Sequence, residues 1–367
     1  MYKNPTLLLP ENHDAQGAIH WKSPSNLAIV KYWGKYGVQL PRNPSISFTL
    51  ENAFTQTWLK YEPKTTAEPG ISLKFTFHGT ENEAFRQKMV KFLESILPIF
   101  PFLEQLQLTV KSGNSFPRSA GIASSASSMS ALALCLCSME DELFQTLQDD
   151  EAFDRKASYV ARLGSGSACR SIYSGMAAWG ETDAIVGASN DYAVPFSENL
   201  HEIYRNFHDD ILIASRAEKS VSSRAGHSLM EGNPYATPRY QQANKRMRTL
   251  VEVLQNGDVE TFGTIAENEA LTLHALMMTS NPSYLLMRPN SLKMIELIRA
   301  YRQDTQHPIY FSLDAGPNLH VLYPESVIHE VRPFIEEKLV PLCEEGFWIS
   351  DWVGEGPEQL EESGIEE

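Results

Sequence analysis

The chain has 367 residues, long enough for two hydrophobic cores, and its 42% hydrophobic and 21% charged content is that of an ordinary soluble globular protein. A net charge of -15 argues against nonspecific binding to nucleic acid, which needs a basic face to displace counterions. An anionic small molecule remains compatible with that charge only where the few cations converge.

The N-terminal stretch MYKNPTLLLPENHDAQG has no apolar core after its charges, so it predicts neither a secretory signal nor a membrane anchor. The longest apolar run, Ala131 to Cys137, is too short to span a bilayer and reads as a buried helix. Cys135, Cys137, Cys169 and Cys343 form no CxxC pair and no zinc spacing, which fits a reducing cytosol.

In chain order, a strand is expected over Asn26 to Tyr32 and another over Ser45 to Leu59, rich in Thr, Phe and Ile. Ile71, Leu73, Phe75 and Phe77 alternate with polar residues, as do Leu106, Leu108 and Val110, giving two more strands. Between them Phe85, Met89, Phe92, Leu93, Ile96 and Leu97 follow helical spacing, and Pro98 closes the segment. Helices follow from about Ile122 to Met139 and from Asp150 to Arg162.

The stretch Ala188 to Phe207 lacks periodicity and contains Pro195, so the domain junction is placed there. Beyond it DDILIAS is an apolar strand, Tyr240 to Asn256 is a helix stopped by Gly257, and Asp258 and Ser291 are expected to cap the two helices that follow. Strands at Ile309 to Leu313 and Leu319 to Tyr323 bracket Asp314. The expectation is two α+β domains, residues 1–195 and 196–353, with a site between them and an acidic disordered tail at 354–367.

Five runs carry chemistry. In YFSLDAGPN the Gly-Pro loop stops a strand and leaves the Asp314 carboxylate at the lip of a sheet, as a general base or as a turn former bonded to its own backbone. In PRSAGIASSASSMSALAL, Gly121 and the small residues Ala123, Ser124, Ser125 and Ala126 precede a helix. That run offers free N–H groups to a phosphate and Ser hydroxyls to a phosphate or magnesium, or it is a capped helix packed on another backbone. No Gly-Lys-Ser/Thr follows, so it is not a Walker A loop.

In SPSNLAIVKYWGK, Lys31 follows Ala28, Ile29 and Val30 and interrupts a buried surface, where it needs an anionic partner unless it snorkels from the strand end. RLGSGSACRS offers Ser165, Ser167 and the planar fork of Arg170 to a carboxylate or phosphate, with Arg162 flanking, or forms a plain Ser/Gly turn. VSSRAGH places Ser223 and Arg224 after an apolar strand. The histidines have no HxxxH or HExxH spacing and there is no GxSxG elbow, which disfavours a histidine-held metal and a serine hydrolase.

Together, in their order along the chain, the five runs resemble the GHMP kinase superfamily and within it the mevalonate diphosphate decarboxylases, over Ser23 to about Pro324. The resemblance implies an N-terminal domain of ribosomal protein S5 type and a ferredoxin-like C-terminal domain. It implies ATP-dependent phosphorylation of the tertiary 3-hydroxyl of mevalonate 5-diphosphate, then loss of phosphate and carbon dioxide to give isopentenyl diphosphate, with magnesium accompanying ATP. It also implies a cytoplasmic homodimer.

By the same resemblance Asp314 is the base, Lys31 neutralises charge beside it, and Arg170 fixes the substrate carboxylate. Tyr32, Lys35, Ser165, Ser167, Ser223 and Arg224 take the substrate diphosphate; Gly121, Ala123, Ser124 and Ser125 take the ATP phosphates, with Ser124 or Ser125 toward the metal. Two departures stand out: the segment between Lys35 and Pro41 is shorter and less acidic than in eukaryotic members, and His227 replaces a usual methionine. Phosphomevalonate decarboxylases, 3-kinases that do not decarboxylate, and GHMP-fold sensors that bind without turnover are the alternatives; the 3-kinases are expected to lack the Asp and Lys pair, and the sensors the base.

Overall fold

The computed structural model describes residues 1–65, 68–117, 122–147, 149–197, 199–217 and 220–361. Two sheets organise these residues. The first has eight strands in the order β14-β1-β4-β7-β5-β6, with β8 added to β4 and β9 to β8. Its long members are β1 (Gly17–Val30), β4 (Ser45–Pro63) and β7 (Leu106–Asn114). The shorter ones are β5 (Ser72–Phe77), β6 (Thr80–Glu81), β8 (Met176–Trp179), β9 (Ala193–Pro195) and β14 (Glu358–Leu360). A separate hairpin pairs β2 (Lys35–Tyr36) with β3 (Leu40–Pro41).

The second sheet has four antiparallel strands in the order β11-β12-β10-β13, namely Tyr310–Ser312, Leu319–Tyr323, His208–Leu212 and Trp348–Ile349. The helices are α1 (Glu83–Ser95), α2 (Ser124–Phe144), α3 (Asp150–Gly164), α4 (Ser223–Ser228), α5 (Ala236–Asn256), α6 (Val259–Met278), α7 (Pro289–Thr305) and α8 (Ile328–Phe334).

Side-chain alternation explains the layers. Leu59, Leu73, Phe75, Phe77, Leu108 and Val110 share one face of the first sheet and form a core with Leu93 of α1, Leu132 and Leu136 of α2, and Val160 of α3. The end of β1 is buried on both faces, which is why SPSNLAIV reads as a nearly continuous small and apolar run. Leu27, Ile29, Phe48 and Leu50 pack against Met247 and Leu250 of α5, Phe262 and Ile265 of α6, and Ile211 of the second sheet. This shared core joins the two sheets through α5 and α6. The far face of the second sheet closes a third core with Met294, Ile295 and Ile298 of α7 and Val331 of α8.

The register of β1 against β4 jumps between Pro24 opposite Phe54 and Asn26 opposite Thr49. The Asp351 carboxylate holds the looped-out residues by accepting from the N–H groups of Glu51, Asn52 and Ala53 at 2.8, 2.9 and 2.8 Å. The jump re-aims the last residues of β1, from Asn26 to Val30.

Three expectations need correction. The acidic tail is ordered through Glu361: β14 pairs with β1, His20 opposite Leu360, and Lys22 lies 3.8 Å from the Glu358 carboxylate, so an open sheet edge is covered; residues 362–367 lie outside the described residues. Ser291 is not an N-cap, because Pro289 starts α7 two residues earlier. Its hydroxyl accepts from Arg288 N–H and donates to the Pro317 carbonyl at 2.5 Å. The strand expected through Tyr32 ends at Val30, so Lys31 and Tyr32 lie beyond its ladder.

Candidate active site

The end of β1 and the end of β11 meet between the two sheets. Lys31 Nζ donates to Asp314 Oδ1 at 2.8 Å; the lysine is 2% exposed and the aspartate side chain 24%. The buried cation thus finds its anion, and the carboxylate is partly exposed.

Each partner is fixed by its main chain. Lys31 lies past the last β1 pair, Val30 opposite Ile46, so its N–H and carbonyl must find partners outside the ladder. Its N–H donates to Glu269 Oε2 at 2.8 Å, and its carbonyl accepts from Asn43 Nδ2 at 3.0 Å and Arg239 Nη2 at 3.1 Å. Glu269 is fully buried on α6 between Arg239 and Arg246 of α5. Burial alone pushes its carboxyl up, but the two guanidiniums and their hydrogen bonds outweigh burial and hold it below the ordinary carboxylate value.

Asp314 follows Ser312, the last residue of β11, by two positions. Its carbonyl accepts from Gly316 N–H at 2.7 Å and from His274 Nε2 of α6 at 3.1 Å. Asn318 on the other side of the turn accepts from Ser215 N–H at 3.0 Å, and Ser291 holds Pro317. The DAGPN loop is therefore tied at both ends.

Arg170 lies in a short 3-10 turn after α3 and is as buried as Lys31. It donates to Ser47 Oγ at 2.8 Å, Ser45 Oγ at 2.6 Å and Asn26 Oδ1 at 3.2 Å, all neutral oxygens. Burial lowers its proton affinity, while Cys169, Asp314 and Tyr32 act in the opposite direction. Guanidinium nonetheless stays charged, so a buried cation is aimed by neutral groups beside the Lys31 and Asp314 pair. Arg162, expected to flank the same site, turns away: it donates to the carbonyls of Asp191 and Val38 at 2.6 Å each and braces a loop.

Tyr32 packs between Trp179 and His227, at ring distances of 4.7 and 4.3 Å. Its hydroxyl is buried without a hydrogen-bond partner among the described residues, and burial raises its proton affinity strongly, so it stays a neutral donor. His227 accepts from Gly34 N–H at 3.0 Å through Nδ1, and burial, then Lys35, push it down to about 3. Lys35 itself is lowered by burial and then by Arg224, so these cations crowd one another. Ser223 and Arg224 occupy the exposed first turn of α4, which Ser222 caps.

Ser165 Oγ lies 3.2 Å from Ser125 Oγ and so joins the RLGSGSACRS turn to the start of α2. Ser167 is half-buried and its carbonyl takes Asn26 Nδ2 at 3.3 Å. Helix α2 begins at Ser124 behind Ala123 in the left-handed region (φ 44°), with no side chain among the described residues capping its first N–H groups. An uncapped start flanked by Ser124 and Ser125 hydroxyls suits a phosphate with its metal. Gly121 lies outside the described residues.

Asn26, Ser45, Ser47, Arg239, Glu269 and His274 were not singled out from the sequence. A signal existed for Glu269, which falls among Ile265, Ala266, Ala270 and Leu273 on the buried face of α6 and there requires a cation.

Two family profiles cover most of the chain: "Diphosphomevalonate decarboxylase-like N-terminal domain" matches residues 23–192, and "Mevalonate 5-diphosphate decarboxylase C-terminal domain" matches residues 210–351. Among curated proteins, diphosphomevalonate decarboxylase of Ganoderma lucidum is 28% identical over 334 residues, spanning 85% of this chain and 80% of that protein. The Saccharomyces cerevisiae enzyme is 29% identical over 314 residues, spanning 82% and 76%.

The crystal structure of mevalonate diphosphate decarboxylase from Staphylococcus aureus superposes with a TM-score of 0.80 at 26% identity, covering 95% of this chain and 99% of that one. A structure described as MDDEF in complex with MVAPP, AMPPCP and magnesium gives 0.79 at 27% identity, covering 95% and 100%. With both halves matched in order, and with the two-domain GHMP kinase fold of these structures, the chain belongs to the diphosphomevalonate decarboxylase family.

Proposed function

We propose that this chain is the ATP-dependent decarboxylase of mevalonate 5-diphosphate, with Asp314 as its base. It converts the substrate to isopentenyl diphosphate and releases ADP, phosphate and carbon dioxide, with ATP and magnesium as co-reactants. The observation that carries the residue roles is the 2.8 Å pair of Lys31 and Asp314 at a part-open carboxylate, beside a buried Arg170 whose hydrogen-bond partners are neutral.

The substrate's tertiary hydroxyl oxygen attacks the γ-phosphorus of ATP, the bond from γ-phosphorus to the β-bridging oxygen breaks, and Asp314 takes the hydroxyl proton. Lys31 orients the carboxylate and balances negative charge as the proton leaves. Arg170 holds the substrate carboxylate. The bond from that carboxylate to its neighbouring carbon then breaks, its electron pair forms the new double bond, and the phosphate departs with the former C–O pair.

Tyr32, Lys35, Ser165, Ser167, Ser223 and Arg224 receive the diphosphate; the crowded cations Lys35 and Arg224 suit it, as does the Tyr32 hydroxyl, which has no partner among the described residues. Gly121, Ala123, Ser124 and Ser125 receive the ATP phosphates. Ser124 or Ser125, with those phosphates, would hold magnesium, which would supply charge neutralisation for phosphoryl transfer.

We further propose that residues 1–195 form the nucleotide-holding domain and residues 196–353 the domain that brings Asp314. A cytoplasmic homodimer completes the reading; its four buried, free cysteines suit a reducing compartment, and no helix among the described residues is long and apolar enough to cross a membrane. Comparing kcat/KM for mevalonate 5-diphosphate and its 5-monophosphate tests the substrate: preference for the monophosphate overturns the diphosphate assignment. Sedimentation of the full chain as a monomer at micromolar concentration overturns the dimer.

A further inference from the structure

Helix α6 touches the main chain of both members of the central pair. Glu269 accepts the Lys31 N–H at 2.8 Å, and His274 Nε2 donates to the Asp314 carbonyl at 3.1 Å. They lie five positions apart, a rise of about 7.5 Å along the helix. Lys31 comes from the first sheet and Asp314 from the second, so no strand ladder fixes their separation.

We propose that α6 is the spacer that sets the approach of Lys31 Nζ to Asp314, with Glu269 and His274 as positioning residues and Arg239 as the brace that holds Glu269 and the Lys31 carbonyl. This inference rests on the catalytic reading of Lys31 and Asp314 given above.

Three features favour a spacer over incidental packing. Glu269 is saturated: Arg239 donates to both its oxygens, Arg246 to Oε1 at 2.7 Å and Lys31 N–H to Oε2, so the carboxylate cannot swing without abandoning several charge-assisted bonds. Arg239 also spans from Glu269 to the Lys31 carbonyl, so both polar groups of one residue's main chain are gripped from the helical layer. All of these side chains are at least nine-tenths buried except Arg246, whose exposure is 19%. Their geometry is therefore little averaged by solvent. Glu269 and His274 act through Lys31 and Asp314 and are not placed against the substrate.

The test compares Glu269→Gln, His274→Leu and His274→Gln with the parent chain. It measures kcat, KM for both substrates, the Kd of a fluorescent ATP analogue and the folded fraction. A glutamine at this position can still donate to the Asp314 carbonyl, whereas a leucine cannot. The spacer predicts that Glu269→Gln and His274→Leu lower kcat per folded molecule at least tenfold with nucleotide Kd within twofold of the parent, and that His274→Gln recovers kcat to within threefold.

Unchanged kcat per folded molecule, or equal loss in His274→Gln and His274→Leu, overturns it. Should Glu269→Gln fail to fold, the two His274 variants decide alone. Lys31→Met separates the two levels. Parental turnover by that variant would sink the catalytic reading of Lys31, whereas an inactive Lys31→Met beside fully active Glu269→Gln and His274→Leu would sink only the spacer.

Discussion

The Lys31 ammonium lies 2.8 Å from Oδ1 of Asp314, although 283 positions of chain separate them. Lys31 follows the last paired residue of β1 and Asp314 lies two positions past β11, and residues of α5 and α6 share a core with both sheets. A cation buried this deeply depends on its anion, and a partly exposed carboxylate beside it has the chemistry of a proton acceptor.

Replacing Asp314 by Asn keeps the shape and an oxygen for Lys31 but removes the proton acceptor. Turnover is expected to fall by about three orders of magnitude or more, the upper part of what a positioned base contributes. Nucleotide affinity, which we propose is set at the start of α2, is expected to stay within twofold. Isothermal titration beside a steady-state assay checks both halves.

Arg170→Lys keeps the charge and loses the fork that meets Ser45, Ser47 and Asn26. Because a lysine cannot make the bidentate grip on a carboxylate, kcat/KM for the diphosphate substrate is expected to drop on the order of a hundredfold, about 3 kcal/mol of transition-state stabilisation. The KM for ATP should barely move. A parallel loss of ATP binding would assign Arg170 to the nucleotide instead.

Much of this site could be read from residue order. The strand alternation from Leu73 to Phe77 and from Leu106 to Val110 is a period-two signal with one wet face, and the Gly-Pro after Asp314 marks an abrupt turn. Lys31 stood out because its neighbours are apolar. What stayed hidden was which charges leave water. Arg239, Arg246 and Glu269 lie on two amphipathic helices where charge normally faces solvent, and only the packing of α5 on α6 turns them inward.

The first half of β1 escaped notice for a related reason: His20 and Lys22 break the apolar pattern, and the strand is stabilised by pairing with β4 and β14. The acidic end of the chain looked self-repelling, yet backbone pairing along β1 orders it through Glu361. Arg162 shows the converse error. It sits in a promising run, but its guanidinium is taken up by the carbonyls of Asp191 and Val38 and by the Asp191 carboxylate.

Tyr32→Phe isolates the buried hydroxyl that has no partner among the described residues. Removing an unsatisfied polar group is expected to leave stability unchanged or raise it by up to about 1 kcal/mol, read from urea unfolding. The KM for mevalonate 5-diphosphate is expected to rise about tenfold if that hydroxyl donates to the diphosphate. Lost stability with unchanged KM would show instead that the hydroxyl serves the fold.

His227 gives a pH signature. Burial and Lys35 hold it down to about 3, against 6.5 for an unperturbed imidazole, so the unfolded chain binds more protons between those values. Its contribution to stability is complete above pH 6.5 and is lost as pH falls toward 3. The urea midpoint should therefore drop between about pH 7.5 and pH 4.5, and His227→Met should show a smaller drop. An equal drop in both chains would place the acid sensitivity elsewhere.

The most direct measurement supplies ATP, magnesium and mevalonate 5-diphosphate, and follows ADP and carbon dioxide separately in one reaction. Phosphorylation of the substrate hydroxyl with Asp314 as base, coupled to loss of the carboxylate held by Arg170, predicts the two products in a one-to-one ratio, both abolished in Asp314→Asn. Formation of ADP without carbon dioxide, or parental turnover by Asp314→Asn, would contradict the account.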